Sequence, residues 1–244
     1  KGKESSFRAV EIARSYPNVY ATVGIHPHDA KDYTALGELE QLCAETDELN
    51  CSDSAACLAS SWGANNSSKG SGKIVAIGET GLDYFREWAP FEAQRALFSN
   101  TIAVALNLHK PLVIHCRDAA DDTLAMLKSH GADRVGGVFH CYAQDVEFAK
   151  KLADLNFLIS FTGNITFKKA EAIRKIVQSI PIDQMMVETD APYMAPEPFR
   201  GAPSEPKHVM QVAQKIAEVK GMPLEEVAHK TTANAERLFG LRAL

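Results

Sequence analysis

The stretch Lys-Ile-Val-Ala-Ile-Gly-Glu-Thr-Gly-Leu-Asp at residues 73–83 decides the fold of this chain. Its short apolar run at residues 74–77 is typical of a strand buried on both faces of a parallel sheet. Glu79 follows between glycines, which let the backbone turn sharply and approach a ligand closely. A carboxylate there could bridge cations, and its structural alternative is a helix N-cap or a core ion pair. We predict a strand over 74–79 that ends in a functional Glu79.

The same pattern recurs along the chain, with helical periodicity between most of the apolar runs. Two helices, at about 205–220 and 223–240, close the sequence. Strand–helix alternation predicts a parallel α/β sheet and a single domain over residues 1–244. The predicted strands are 19–25, 74–79, 112–115, 135–140, 158–161 and 185–188.

Polar side chains stand where four of these strands end. They are Glu79, His115, His140 and Asp190. Catalytic groups stand at this edge of (β/α) barrels. Each histidine alone is more often a satisfied, partly buried ring, but two apolar strands that both end in His-Cys favour a shared metal. Imidazole suits Zn²⁺ and Mn²⁺, and the carboxylates extend the choice to Mg²⁺, as one or two ions.

Further residues beside these strand ends are candidates for phosphate and proton chemistry. Arg117 could clamp a phosphate, and its alternative is a salt bridge to Asp118 or Asp121. Glu188 and Asp190 face one side, so one could bind metal or accept a proton while the other supports it.

The alternative for Glu188, the remaining histidines and the aromatic residues complete these candidates. Glu188 could equally be an ion pair beneath the site. His26 and His28 flank Pro27 and could donate to a phosphate, with helix capping as the alternative. His109, His130, His208 and His229 fall in helical patterns and are interpreted as surface or capping residues. Tyr84, Phe85, Tyr142 and Tyr193 follow strand ends and could stack exposed bases, which favours single strands or frayed ends.

Composition narrows the class of protein. The 244 residues carry a formal net charge of −5, which disfavours a broad non-specific DNA-binding surface but not a nuclease with a local basic groove. No apolar run approaches the roughly 20 residues that span a bilayer. The five cysteines contain no CxxC pair, which favours a reducing compartment, the cytoplasm or the nucleus. The Ser/Ala/Asn-rich residues at about 43–72 predict an exposed, mobile insertion with free thiols.

Several strings resemble the TatD family of metal-dependent deoxyribonucleases. They are Gly-Ile-His-Pro-His (24–28), Gly-Glu-Thr-Gly-Leu-Asp-Tyr (78–84), His-Cys-Arg-Asp-Ala (115–119), Phe-His-Cys-Tyr (139–142), Glu-Thr-Asp-Ala-Pro-Tyr (188–193) and the tail at 231–240. The resemblance implies a TIM (β/α)8-type barrel and hydrolysis of DNA that depends on Mg²⁺, Mn²⁺ or Zn²⁺, often from the 3′ end. It places metal ligands at Glu79, His115, His140 and Asp190 and a further site histidine at His26. The family's Asn-Glu-Pro reads Ser204-Glu205-Pro206 here.

The N-terminal part of the predicted barrel departs from the family pattern. The family's His-x-His strand is absent, and six strands cannot close a barrel of eight. We expect strands 19–25 and 185–188 to flank a gap, with apolar side chains facing water and unpaired edges. The hypothesis is that the sequence is a fragment of a longer protein.

The residues together predict metal-assisted hydrolysis of a phosphodiester. Glu79 and Asp190 are the catalytic candidates, and His26 and Arg117 contact phosphate. Two alternatives remain open: a barrel hydrolase acting on a small amide or ester, and an inactive truncated remnant. Substrate profile separates the first from a nuclease, and metal content tests the second.

Deleting residues 52–71 is expected to leave the fold and metal binding intact, because long surface loops add little closure entropy. Thermal unfolding and metal titration of the deletion variant check this expectation. A large loss of thermal stability would show that the segment packs against the domain.

Overall fold

Six parallel strands form one sheet, in which the strands lie side by side in the order of the chain. This computed structural model describes residues 3–49 and 72–241. The strands are β1 (Ala21–Val23), β2 (Ile74–Asp83), β3 (Leu112–Arg117), β4 (Gly137–Phe139), β5 (Phe157–Phe161) and β6 (Met185–Val187). Every neighbouring pair is parallel, so all six carboxyl ends lie at one edge. The predicted α/β architecture and its six strands are confirmed.

Helices connect the strands and cover the sheet. Within the described ranges they are α1 (Lys3–Ser15), α2 (Leu36–Leu49), α3 (Phe91–Asn107), α4 (Ala120–His130), α5 (Val146–Ala153), α6 (Glu171–Ser179), α7 (Val209–Lys220) and α8 (Leu224–Phe239). Short 3-10 turns at Pro27–Ala35 and Gly163–Thr166 follow β1 and β5, and another at Pro206–His208 leads into α7. No described helix is both long and apolar enough to cross a membrane.

The core forms because the strands present apolar side chains on both faces. Adjacent residues, whose side chains point to opposite faces, are both buried at Ile74 and Val75 of β2 and at Val138 and Phe139 of β4. Phe139 packs edge-on against Phe157, with ring centroids 5.6 Å apart. Burial on both sides makes charged side chains costly within the strands, and the charged site residues stand at the strand ends.

Strand β2 carries an irregularity at Glu79. Gly78 pairs with Val113 and Thr80 with Ile114, so Glu79 has no partner across the ladder. A bulge of this kind re-aims the side chain of the extra residue. The strand then continues to Asp83, four residues beyond the predicted end, and carries Asp83 to the same edge.

The expected gap at the front is partly confirmed. Strands β1 and β6 are the two outer strands of the sheet formed by the described residues. The expectation that their apolar side chains face water is wrong, since Val23 is 1% and Met185 is 0% exposed. Helix α1 covers β1 through Val10 and Ala13, which are both buried. Exposed apolar groups in this region are Phe7 and Ile12 of α1, Tyr16 just after it, and Val19 at the start of the predicted first strand.

The predicted start of the insertion, at residue 43, is too early, because α2 continues to Leu49. Residues 43–49 are the last turns of α2, and Cys43 is buried in the core, so this thiol does not lie on a mobile loop. Residues 50–71, with Cys51 and Cys57, lie outside the described residues. Cys116 and Cys141 are free thiols.

Substituting Gly81 with alanine is expected to destabilise the sheet. Gly81 has a φ of +133°, and an added methyl group would lie 2.0 Å from the carbonyl oxygen of His115. The backbone strain alone costs about 1–3 kcal/mol, and strands β2 and β3 must also separate. Urea unfolding measures the loss.

Gly37→Ala in α2 is the matched control, because a methyl group there meets nothing within 4 Å. It should be neutral or stabilising by up to about 1 kcal/mol. Equal losses in the two variants would contradict the proposed contact at Gly81.

Candidate metal centre

Three imidazoles surround one carboxylate oxygen at the carboxyl edge of the sheet. Glu79 Oε1 lies 2.7 Å from His140 Nε2, 3.0 Å from His115 Nδ1 and 3.3 Å from His26 Nε2. These residues come from β2, from β3, from the end of β4 and from the turn after β1. Parallel pairing brings all of them to one edge, as the strand ends predicted.

The histidines keep Glu79 ionised. Burial by itself would raise the pKa of Glu79, but the imidazoles of His115, His140 and His26 outweigh it and hold this pKa well below its usual range. The charge of the carboxylate is therefore present at any physiological pH, and it faces the nitrogens that could share a cation with it.

Asp83 orients His115 from behind. Its Oδ2 accepts from His115 Nε2 at 3.0 Å and from His28 Nε2 at 2.8 Å. Because Asp83 accepts the hydrogen bond from Nε2–H, the neutral form of the His115 ring has its lone pair on Nδ1, the nitrogen that faces Glu79. Its Oδ1 accepts from the backbone amides of Phe85 and Arg86. Burial would raise the pKa of Asp83, but these donors lower it.

Glu188 supports His140 in the way that Asp83 supports His115. Its Oε2 lies 3.6 Å from His140 Nδ1, and its Oε1 accepts from Cys141 N at 2.6 Å and from the Ser160 hydroxyl. Burial would lower the pKa of His140, but Glu188 and Glu79 together hold it well above its usual value. Of the alternatives open for Glu188, this geometry favours a supporting role next to His140.

His26 presents a proton to the same space. The backbone amide of His28 donates to His26 Nδ1 at 3.1 Å, so the proton of a neutral ring resides on Nε2. That nitrogen is the one that faces Glu79. His26 can therefore donate a hydrogen bond toward a substrate at this edge.

The residues fit a divalent cation. Donor atoms of Glu79, His115 and His140 lie within 4.8 Å of one another. His140 Nε2 is buried and has no well-directed hydrogen bond, although Glu79 is 2.7 Å away. Two histidines that each have a carboxylate behind them and turn the other nitrogen to a shared carboxylate are typical of metal sites. A second group in the described part of the chain, His26, His28 and His115, has its nitrogens largely taken by Asp83 and the backbone.

Asp190 stands at the same edge but belongs to neither group of close donors. Its backbone is left-handed, with a φ of +52°. Burial raises its pKa, and the charges of Glu188 and Glu79 add to the rise while His140 opposes it. The structure thus brings three of the four predicted ligands together and places Asp190 within electrostatic reach of them.

The residues predicted to contact the substrate differ in how far they are exposed. Arg117 is exposed, and its guanidinium lies 3.7 Å from the centroid of the Phe85 ring; no ion pair to Asp118 or Asp121 is present among the described residues. Tyr142 is 2% exposed and its hydroxyl donates to Asp145 O, so the prediction that it stacks a base is wrong. Tyr84 is half-buried against Phe91 and donates to Asp122, whereas Tyr193 is 58% exposed.

Among the remaining histidines, His208 is 3% exposed, so its interpretation as a surface residue is wrong and its capping role stands. It accepts from the Glu205 backbone amide in a capping box. His130, in the last turn of α4, contacts Ser99 Oγ at 2.7 Å. His109 and His229 lie at or in helices, as predicted.

Two residues of this edge were missed from the sequence. Asp83 lies four residues beyond Glu79, so strand alternation puts both on one face, but only if the strand continues past Glu79. Trp88 packs edge-on against His28 with centroids 4.4 Å apart and is 56% exposed. Nothing in the local pattern of sequence around Trp88 signals that contact.

A parallel α/β sheet whose carboxyl edge carries such a site defines a metal-dependent hydrolase of the TIM-barrel type. The family model for TatD related DNase matches residues 2–240, and the chain belongs to this family. It is 40% identical to the uncharacterized metal-dependent hydrolase YabD of Bacillus subtilis, over 95% of this chain and 82% of that protein.

Two further comparisons agree. The chain is 30% identical to the 3′-5′ ssDNA/RNA exonuclease TatD of Citrobacter rodentium, over 97% of this chain and 82% of that protein. The crystal structure of YjjV, a TatD homologue from Escherichia coli K12, superimposes with a TM-score of 0.82 at 27% identity, covering 98% of this chain and 83% of that one.

Replacing Asp83 with asparagine is expected to weaken Mn²⁺ binding about 10- to 100-fold, because His115 loses the anion that orients its ring. Isothermal titration calorimetry measures the affinity, and nitrogen NMR of the imidazoles reports whether His115 still carries its proton on Nε2. Asp133→Asn, at an exposed position, is the control. Unchanged Mn²⁺ affinity in Asp83→Asn would rule out the orienting role.

Proposed function

We propose that this hydrolase cleaves phosphodiester bonds of DNA, acting as an exonuclease on single-stranded or frayed 3′ ends. The observation that carries the proposal is a pair of side chains beside the candidate metal centre, His26 and Arg117, whose N–H groups could donate to a phosphate. His26 turns Nε2 toward Glu79, and Arg117 lies two residues beyond His115 on the same face of β3. A guanidinium matches two phosphate oxygens at once.

The metal would be held by Glu79, His115 and His140, with Asp190 as the fourth ligand. When bound, a divalent cation polarises a phosphoryl oxygen and lowers the pKa of water. Mg²⁺, Mn²⁺ and Zn²⁺ each suit a set of two imidazoles and two carboxylates.

The other steps are carried out by side chains of the protein. Arg117 binds the nonbridging oxygens of the phosphate, and His26 donates a hydrogen bond from Nε2. Asp190 accepts the proton of the attacking water, a task that suits a carboxylate whose pKa is raised by burial and by neighbouring acids. Glu188 and Asp83 keep the two metal histidines oriented.

Exposed aromatic rings supply the contacts to the bases. Phe85, Trp88 and Tyr193 are 55%, 56% and 58% exposed, and all three follow strand ends at the carboxyl edge. Phe85 is packed under Arg117, and Trp88 lies against His28. Stacking on such rings requires unpaired bases, which favours single strands over duplex. The similarity to the exonuclease of Citrobacter rodentium supports the same substrate.

A nuclease assay with metal titration tests the proposal. The wild-type protein should shorten a 5′-labelled single-stranded DNA one nucleotide at a time, and only with a divalent cation. His140→Ala should lower kcat/KM by at least about 100-fold, more than loss of a supporting residue does. His229→Ala, on α8, is the control and should retain full activity.

Two results would overturn the proposal. One is hydrolysis of amides, lactones or carboxylic esters with no cleavage of phosphodiesters. The other is full DNase activity in His140→Ala, which would place the chemistry elsewhere.

A further inference from the structure

A second cluster of basic and aromatic side chains lies at the carboxyl edge, on the loops after β5 and β6. We call it the β5–β6 rim and define it as Phe167, Lys168, Lys169, Phe199 and Arg200. All except Phe167, which is half-buried, are exposed. No ion pair within the described residues neutralises Lys168, Lys169 or Arg200. Three such cations in one cluster stand out on a chain with a formal net charge of −5.

The aromatic groups of the rim are held in place from below. The Phe199 ring stacks on His208, with centroids 4.4 Å apart and planes at 11°, and His208 is itself buried and bonded to the Glu205 backbone amide. One face of Phe199 is therefore covered while the residue stays 39% exposed. The Arg200 guanidinium lies 4.2 Å from the Phe167 ring centroid. Rings fixed in this way lose little entropy when they bind a ligand.

The two loops of the rim form one surface. The Glu197 backbone amide donates to Thr166 Oγ1 at 2.9 Å, which ties the loop after β6 to the loop after β5. Arg174 donates to the carbonyl oxygens of Ile165 and Phe167 and fixes the loop after β5. Cations and rings from different parts of the chain are thus presented side by side.

The rim lies at the same edge of the sheet as the candidate metal centre. His140 follows β4, and the rim follows the two succeeding strands, which are spaced by about 5 Å each. Glu188 joins the ends of β4, β5 and β6 through its contacts with His140, Cys141 and Ser160. A strand of a few nucleotides whose terminal phosphodiester lies at Glu79 can therefore reach the rim.

We infer that the β5–β6 rim binds the single-stranded nucleotides that lie beyond the bond to be cleaved. Lys168, Lys169 and Arg200 contact their phosphates, and a base stacks on the open face of Phe199. Cations and rings on one surface match a single strand, which carries both charged phosphates and unpaired bases. The inference rests on the proposed nuclease function for its biological meaning, but the binding it describes can be measured without catalysis.

The test uses the full chain with Lys168→Ala, Lys169→Ala and Arg200→Ala combined. Binding of a fluorescein-labelled 12-nucleotide oligothymidylate is followed by fluorescence anisotropy in EDTA at several salt concentrations. The triple variant should bind at least about 10-fold more weakly, and the slope of log K against log salt should fall by about 2, roughly 0.7 for each phosphate that is no longer neutralised. Lys150→Ala with Lys151→Ala, exposed residues of α5, is the control and should change neither value.

Activity assays separate this inference from the proposed function. If both hold, the triple variant keeps its kcat/KM for bis-p-nitrophenyl phosphate, which is too short to reach the rim, and loses at least about 10-fold in kcat/KM on the oligonucleotide. If the wild-type protein binds the oligonucleotide but cleaves no phosphodiester, the proposed function is wrong and the proposed binding by the rim is retained. Unchanged oligonucleotide affinity in the triple variant, an equal loss in the control, or equal binding of a blunt duplex would overturn the rim.

Discussion

The site depends on holding one partly buried carboxylate, that of Glu79, among three imidazoles at the edge of a parallel sheet. Burial disfavours the charged form of Glu79, and only the surrounding nitrogens reverse this effect on its pKa. The backbone around Glu79 meets that requirement. The bulge leaves Glu79 without a partner on β3 and re-aims its side chain. Gly81 lets β3 come close enough to bring His115 beside Glu79. A side chain at position 81 would separate the two strands that carry the first two donors.

The histidines in turn depend on a second pair of acids. Asp83 and Glu188 each approach one nitrogen of a histidine and leave the other directed at Glu79. These acids also stabilise the backbone at this edge. Asp83 accepts hydrogen bonds from the amides of the following loop, and Glu188 joins the ends of three strands. The contacts that orient the metal-facing nitrogens are therefore the same contacts that hold the carboxyl edge together. A hydrolase needs this rigidity because the ligands of a cation must be placed before it binds.

Loops after the strands supply the remaining chemistry, as in other barrels. On one side of the centre, the loop after β2 presents Phe85 and Trp88 above Asp83. On the other side, the loops after β5 and β6 present cations and the ring of Phe199. Both surfaces are built on buried or half-buried supports, His28 under Trp88 and His208 under Phe199. Substrate contacts at this edge are thus positioned by the same packing that holds the histidines.

The sequence by itself determined the strands, their parallel order and the identity of the polar residues at their ends. It could do so because alternation and apolar runs are local properties, and because parallel strands bring their carboxyl ends together whatever the details of packing. Glu79, His115 and His140 were found in this way.

Only the tertiary structure decided what each of these groups contacts. Whether Asp83 reaches His115 depends on the register of β2 after a bulge, and which nitrogen a histidine turns inward depends on the acid behind it. Tyr142 and Tyr193 both follow a strand end, yet the first is buried and the second is exposed. Tyr142 packs against Phe161, which is distant in the chain, and no local pattern in the sequence contains that contact.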